Sequence, residues 1–285
     1  PFLTETSTLY KGERSNAVDH INIAHSHGFT PKNTGASFIM ADGLLGNTEI
    51  EIGIKGKLYS SVNIAREAVM ADSLIALTHP TGHIGIGYGG TVKNLGMGLA
   101  SRMGKLRQHS SIKPYVDTDK CTFCKKCITW CPEDAIIAVT DGKPHAEIVS
   151  EKCIGCGECL AVCKFFAVRY NWEVESAHSQ RSIAEHALGV LYGKENSSFF
   201  FNFCIDMTKD CDCVAETQTP LIPDIGILAS TDPVAVDQAT LDLTLERNGE
   251  HLGKASYPHI DPFPQLIHAE EIGLGSRSYV LKEIR

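Results

Sequence analysis

Residues 121–132 read CTFCKKCITWCP, and residues 153–164 read CIGCGECLAVCK. Each run spaces four cysteines by two, two and three intervening residues, and eight of the chain's eleven cysteines fall in this doubled pattern. Three chemistries compete for sulfur at this density: disulfides, zinc and iron-sulfur clusters. Disulfides suit small secreted scaffolds, whereas a chain of α/β pattern keeps its thiols reduced and uses them on metal. Zinc takes two separated pairs of ligands around one tetrahedral ion, and four close cysteines in a row are too many for that plan.

The spacing C-x2-C-x2-C-x3-C-P resembles the bacterial two-cluster ferredoxins over roughly 58 residues, in which three cysteines wrap one cubane and the fourth is carried off to ligate the other. On that arrangement Cys121, Cys124, Cys127 and Cys163 hold one [4Fe-4S] cluster, and Cys153, Cys156, Cys159 and Cys131 hold the second. The resemblance includes Pro132 after Cys131 and departs at Lys164, where the second run lacks the proline. That leaves a backbone amide and a cation beside the cluster completed by Cys163, a change that raises a cluster potential. Two cubanes in one small module form an electron relay.

At 285 residues the chain can bury one large core or two modest ones. Its 43% hydrophobic and 21% charged content is that of a globular protein. A formal charge of −8 with scattered basic residues argues against nucleic acid, which needs clustered Lys and Arg. No apolar run reaches the ~18 residues of a membrane span, and the first residue is Pro1, so further sequence before it is expected.

Around the cysteine runs the pattern predicts an α/β fold: a mixed or mostly parallel sheet with flanking helices, interrupted by a small α+β ferredoxin-like domain. Residues 1–112 form the first α/β part, 115–172 the inserted two-cluster domain and 173–285 the second α/β part. In the first part "RSNAVDHINIAHSHG" reads as a helix ending at Gly28, "SFIMAD" and "EIEIGIKGKLYS" as strands, "SVNIAREAVMAD" as a helix, and "SLIALTH" as a strand buried on both faces. The repeat halves join through a turn at Asp141 and Gly142. In the second part Ser182 and Glu185 read as a capping box opening "SIAEHALGVLYG", closed by Gly193. "SSFFFNFCID" and "PLIPDIGILAS" read as strands, and a helix follows with Asp232 as cap, Pro233 in its first turn and Gly249 at its end.

Two further stretches carry candidate chemistry. "THPTGHIGIGYGGTVKNLGMG" formally contains G-x-G-x-x-G, but it lies beyond the predicted strand and has no acidic residue about 20 positions on, which argues against a dinucleotide. What remains is a glycine-rich loop feeding a helix N-terminus, a cradle for an anion, with His83 and Lys93 as candidate catalytic residues and His79 beside them. In "FNFCIDMTKDCDCVAE", Cys211 and Cys213 are candidate ligands of a third metal site; the competing reading is that Cys204 and the pair simply pack. Asp224, inside an apolar strand, is unusual.

The set "PFLTETSTLY", "ADGLLGN", "GHIGIGYGGTVKNLGMG", the doubled cysteine run, "DCDC" and "PDIGILASTDPVAVD" resembles the family described as domain of unknown function 362, over essentially the whole chain. The resemblance implies an inserted ferredoxin module, a cytoplasmic setting and sequence before Pro1. The expected function is relay of electrons through two [4Fe-4S] clusters to or from a site in the α/β domain, as an oxidoreductase. The alternative is a non-catalytic electron-transfer subunit or docking module. The expected partner is a redox protein or a small-molecule electron acceptor or donor, with no nucleic acid and no membrane.

Overall fold

The computed structural model describes the chain except residues 10–11, 110–113, 154–156, 170–175, 215 and 285. It is a mixed α/β protein of small sheets and short helices, divided into two compact units. One comprises residues 1–50, 65–67 and 100–174; the other comprises 51–64, 68–99 and 175–285. The expected boundaries at 112 and at 172–173 fall outside the described residues. No helix among the described residues is long and apolar enough to cross a membrane.

In the first unit, strands Phe2–Glu5 and Ser37–Met40 pair in parallel, linked by the helix Ala17–Ser26. That helix lies within the expected stretch and ends at Ser26, just short of Gly28; it starts at Ala17 because the Asn16 side chain accepts from Asp19 N–H. Arg102, 1% exposed, opens the helix Arg102–His109 and donates to the carbonyls of Leu45, Thr8 and Ser15 at 2.9, 3.2 and 2.9 Å. A buried guanidinium must find acceptors, and these carbonyls tie Thr8, Ser15 and Leu45 to one point. On the same helix Leu106 packs with Leu9 and Leu160, so the cysteine-rich segment shares an apolar cluster with the N-terminal residues.

In the second unit, strand Ser198–Cys204 lies between Leu74–Thr78, parallel to it, and Gly226–Ser230, antiparallel to it. "SLIALTH" therefore is a strand, but it is not covered on both faces: Ala76 and Thr78 are buried, while Ile75 and Leu77 are 65% and 60% exposed. The helices of this unit pack on the face bearing Phe200 and Asn202, so the outer apolar residues stay uncovered.

"SVNIAREAVMAD" is not one helix. Ser61–Ala65 is a strand and only Arg66–Met70 is helical, because the β-branched Val62 and Ile64 favour the extended chain. "PLIPDIGILAS" becomes a strand only at Gly226–Ser230, and Asp224 precedes it, accepting from Asp206 N–H at 2.8 Å.

Ser182 and Glu185 do not open a helix. The helix runs Ser176–Val190, placing both in its interior, where Ser182 Oγ donates to Tyr59 Oη at 3.0 Å. Glu185 is fully buried and accepts from three successive amides, Lys57, Leu58 and Tyr59, at 2.7, 2.8 and 2.8 Å, and meets His268 Nε2 at 2.8 Å. The carboxylate is a long-range clasp, not a local cap.

A second buried carboxylate, Asp237, lies on the helix Pro233–Asn248, which Asp232 caps and Gly249 ends as expected. Its Oδ1 accepts from Thr91 N–H at 2.7 Å, Asn202 Nδ2 at 2.9 Å and Tyr88 Oη at 3.2 Å; its Oδ2 accepts from Val92 N–H at 2.8 Å. Burial outweighs these donors and pushes its carboxyl up to about 6.

Two predictions follow from these clasps. Replacing Glu185 with Ala strands three amides, at a cost of about 3 kcal/mol, and lowers the thermal midpoint by roughly 6–12 °C for a unit of this size; calorimetry of the two proteins checks it. For Asp237, the native state keeps a proton that the unfolded chain releases near its ordinary value of 3.8. Stability from this group is complete below that value and is lost as pH rises through about 6. Urea titrations at about pH 5 and about pH 7 are expected to show that loss in the wild type and not in Asp237→Asn.

Candidate functional site

The cysteine-rich segment repeats its backbone as well as its sequence. Asp117 O accepts from the amides of Lys120 and Cys121; Val149 O accepts from those of Lys152 and Cys153. Asp117 N–H donates to Ala167 O at 2.7 Å, and Val149 N–H to Ala135 O at 2.8 Å. Lys125 and Gly157 are both left-handed, with φ of 61° and 74°, as are Asp134 and Phe166, at 47° and 55°. Short helices Lys126–Thr129 and Glu158–Val162 follow the first of these pairs and carry Cys127 and Cys159 inward. The halves are tied by antiparallel pairs, Ile136–Val139 with His145–Ile148, turning at Gly142, and Tyr115–Val116 with Val168–Arg169.

This geometry lines the module's interior with sulfur. Cys127 and Cys159 are buried with Ile136, Ala146 and Val168, and Cys121, Cys131 and Cys163 pack against them. Burial, and then the charges of Cys163, Cys121 and Cys124, push the Cys127 thiol up to about 11. Cys163 of the second run thus lies among the first three cysteines of the first run. A cavity is lined by Cys131, Cys153 and Cys159 together with Pro132, Gly157 and Ile136, so the last cysteine of the first run joins the second. Cys156 lies outside the described residues. Ala135 N–H donates to Cys131 Sγ at 3.2 Å.

Among the described residues no group of three or more His, Cys, Asp or Glu side chains could hold a single metal ion. A cubane asks for a different arrangement, since each thiolate takes its own iron and the ligands stand around a cluster instead of converging on one atom. The packing of Cys121, Cys131 and Cys163 around Cys127 and Cys159 suits that group.

In the other unit, the glycine-rich loop does not cradle an external anion. Helix Thr91–Gly96 begins at the loop's end, and its first amides, Thr91 and Val92, are taken by Asp237. Gly90 is what allows it: a Cβ there would collide with Asp237 Oδ1 and Tyr88 Oη. The charge at this helix N-terminus is the protein's own, supplied from 146 residues away. The His83 ring accepts from Gly85 N–H at 3.0 Å through Nδ1.

Lys93, on the next position of that helix, reaches Cys211 Sγ at 3.2 Å. Cys213, two residues on, is the largest influence holding the Cys211 thiol down to about 5 despite burial, and the Lys93 cation adds to it. Between the two cysteines Asp212 bonds His79 Nδ1 at 2.9 Å, while His79 Nε2 meets Ile205 O at 2.9 Å. Both ring nitrogens face acceptors, an arrangement that favours the protonated ring, and the His79 pKa is raised, with the Asp212 bond the main cause.

The segment is pinned further by Tyr257 Oη on Asp210 and by Gln218, which accepts from Asp210 N–H at 2.7 Å and donates to its carbonyl at 3.1 Å. Gly82 lets the loop approach it, since a Cβ would strike Lys209 O and Ser256 Oγ. Cys204 is separate: fully buried on its strand, its thiol pushed up to about 12 by burial, it packs as a core residue. Sequence reading missed Tyr257, which carries no local motif, and only the unusual density of acidic residues near "DCDC" hinted at Asp210 and Asp212.

Comparison with known proteins gives partial and whole-chain similarities. Over 85 residues, 30% of this chain and 94% of the relative, it is 38% identical to "Pyruvate synthase subunit PorD" of Methanothermobacter marburgensis. Over 64 residues, 22% of this chain and 81% of the relative, it is 33% identical to "Ferredoxin oxidoreductase 1 subunit ForD" of Aquifex aeolicus. It is 36% identical over 75 residues, 25% of this chain, to "Formate dehydrogenase-O iron-sulfur subunit" of Escherichia coli, of whose length the match spans 24%. No solved structure matches the chain. Residues 1–242 match a family model, and on that match the chain belongs to the family described as "Domain of unknown function (DUF362)".

Proposed function

We propose that this chain is an iron-sulfur electron carrier. Cys121, Cys124, Cys127 and Cys163 hold one [4Fe-4S] cluster; Cys153, Cys156, Cys159 and Cys131 hold the other. The single observation that carries the reading is the exchange of partners between halves: Cys163 lies with the first run's three cysteines, and Cys131 lines a cavity with Cys153 and Cys159. A [4Fe-4S] cluster takes up and releases one electron at a time, at a potential set by its surroundings. Here the chain's own contributions are the left-handed turns that aim the thiols inward, and the Ala135 N–H that stabilises charge on Cys131. The apolar packing of Ile136, Ala146 and Val168 keeps water from the sulfurs. The relatives' names, subunits of redox enzymes among them, support a partner protein as electron donor or acceptor.

A second reading makes the chain an oxidoreductase in its own right, with His83, Lys93 and the Cys211–Cys213 segment forming a site in the other unit. The contact of Lys93 with Cys211 favours it. Reoxidation of the reduced protein by a small-molecule acceptor without any partner protein supports this reading, and dependence on a partner supports the first.

Anaerobically purified protein is expected to carry about eight irons and about eight acid-labile sulfides per chain. Cys127→Ala and Cys159→Ala are each expected to lose about half of both, with the remaining cluster still reducible by paramagnetic resonance. Stoichiometric zinc in place of iron sinks the proposal.

A further inference from the structure

Cys211 and Cys213 are the two thiols that a metal reading leaves without a third ligand among the described residues. Their surroundings suit a different chemistry. The stretch 211–214 is a turn closed by Val214 N–H on Cys211 O at 2.9 Å. Residues two apart keep their Cα atoms within about 7 Å in any conformation, and a disulfide needs roughly 4.4–6.8 Å.

The two thiols differ in the way that exchange chemistry requires. Cys211 is partly buried and held by the Lys93 ammonium at 3.2 Å, a fixed positive charge on its sulfur. Cys213 is exposed. Thiolates are the attacking species in disulfide exchange, and a neighbouring cation is what makes a cysteine reactive. The turn itself is anchored from both sides, by the His79 and Asp212 pair and by Gln218 on Asp210, so the backbone need not reorganise when the sulfurs bond.

We propose that Cys211 and Cys213 form a redox-active dithiol that reduces disulfides, with Cys211 attacking and Cys213 resolving. The Cys211 thiolate bonds to one sulfur of a disulfide substrate; the S–S bond breaks and the first substrate thiolate leaves, taking up the proton released by the Cys213 thiol. Cys213 sulfur then bonds to Cys211 sulfur, and the second substrate thiolate leaves. Two electrons pass from the cysteine pair to the substrate, which is reduced to two thiols, while the pair becomes the Cys211–Cys213 disulfide. A second dithiol returns it to the reduced state by the same exchange in reverse. A ring closed over three residues is strained, which favours the dithiol form, so the pair passes electrons only to disulfides that are more oxidising or in excess and is readily reduced back. This activity is independent of the iron-sulfur reading and concerns the other unit.

The test uses the whole chain, purified anaerobically, with glutathione disulfide as a small substrate and insulin as a protein one, and dithiothreitol as reductant. Peptide mapping by mass spectrometry is expected to find the Cys211–Cys213 disulfide after oxidation and the dithiol after reduction, reversibly. Cys213→Ser is expected to trap a glutathione adduct on Cys211, whereas Cys211→Ser accumulates none at Cys213. Lys93→Met is expected to slow alkylation of Cys211 near neutral pH by about tenfold or more, with iron content unchanged. Faster turnover of one substrate identifies which class of disulfide the site takes. Absence of the disulfide at every ratio of glutathione disulfide to glutathione, equal adducts in the two serine variants, or a stoichiometric zinc ion lost from both would overturn the proposal.

Discussion

The second unit is organised around a carboxylate that water cannot reach. Asp237 has no solvent exposure, so its charge requires donors, and the amides free at a helix start are a ready source. Taking Thr91 and Val92 for this purpose fixes the direction of the Thr91–Gly96 helix against Pro233–Asn248, and it forces glycine at position 90. It also sets where the following side chain emerges. Lys93 leaves the same turn towards Cys211, so the cation beside that thiol is a consequence of how the buried charge is satisfied. Asn202, between Asp237, Thr91 and Thr240, extends the network into the central strand. Glu185 repeats the principle on three amides of the 57–59 turn.

The cysteine-rich segment solves another problem, that of placing many sulfurs inside a small core. Its two halves use the same carbonyl acceptors, the same left-handed positions and the same short helices, thirty-two residues apart. Non-glycine residues at positive φ cost free energy, yet Phe123, Lys125, Asp134 and Phe166 all adopt it, and the helix that follows Lys125 carries Cys127 into the interior. Burial, with the neighbouring cysteines adding to it, makes the Cys127 thiol harder to ionise. Binding to iron removes that penalty, because a coordinating thiol is deprotonated outright.

The sequence and the structure disagree where a residue's partner is remote. Ser182 and Glu185 have the spacing of a capping box, but Glu185 serves amides 126 to 128 residues away. "SVNIAREAVMAD" carries both a β-branched run and helix formers; the strand pairing of Ser61–Ala65 decides between them at Ala65. "SLIALTH" is apolar throughout, and no pattern within five residues could tell that only one side is covered. The glycine-rich loop looked like an anion cradle and is one, for an anion that belongs to the chain itself.

What the sequence determined by itself is local in origin: the doubled cysteine runs, whose spacing is fixed by covalent geometry, the turn at Gly142, the Asn16 and Asp232 caps and the Gly249 stop. Each depends on contacts within a few residues, which order along the chain preserves. Only the tertiary structure decided that Asp237 fills the helix start and that Lys93 meets Cys211. Those pairings join residues more than a hundred positions apart, and they arise because buried charge and buried sulfur must find partners wherever folding brings them.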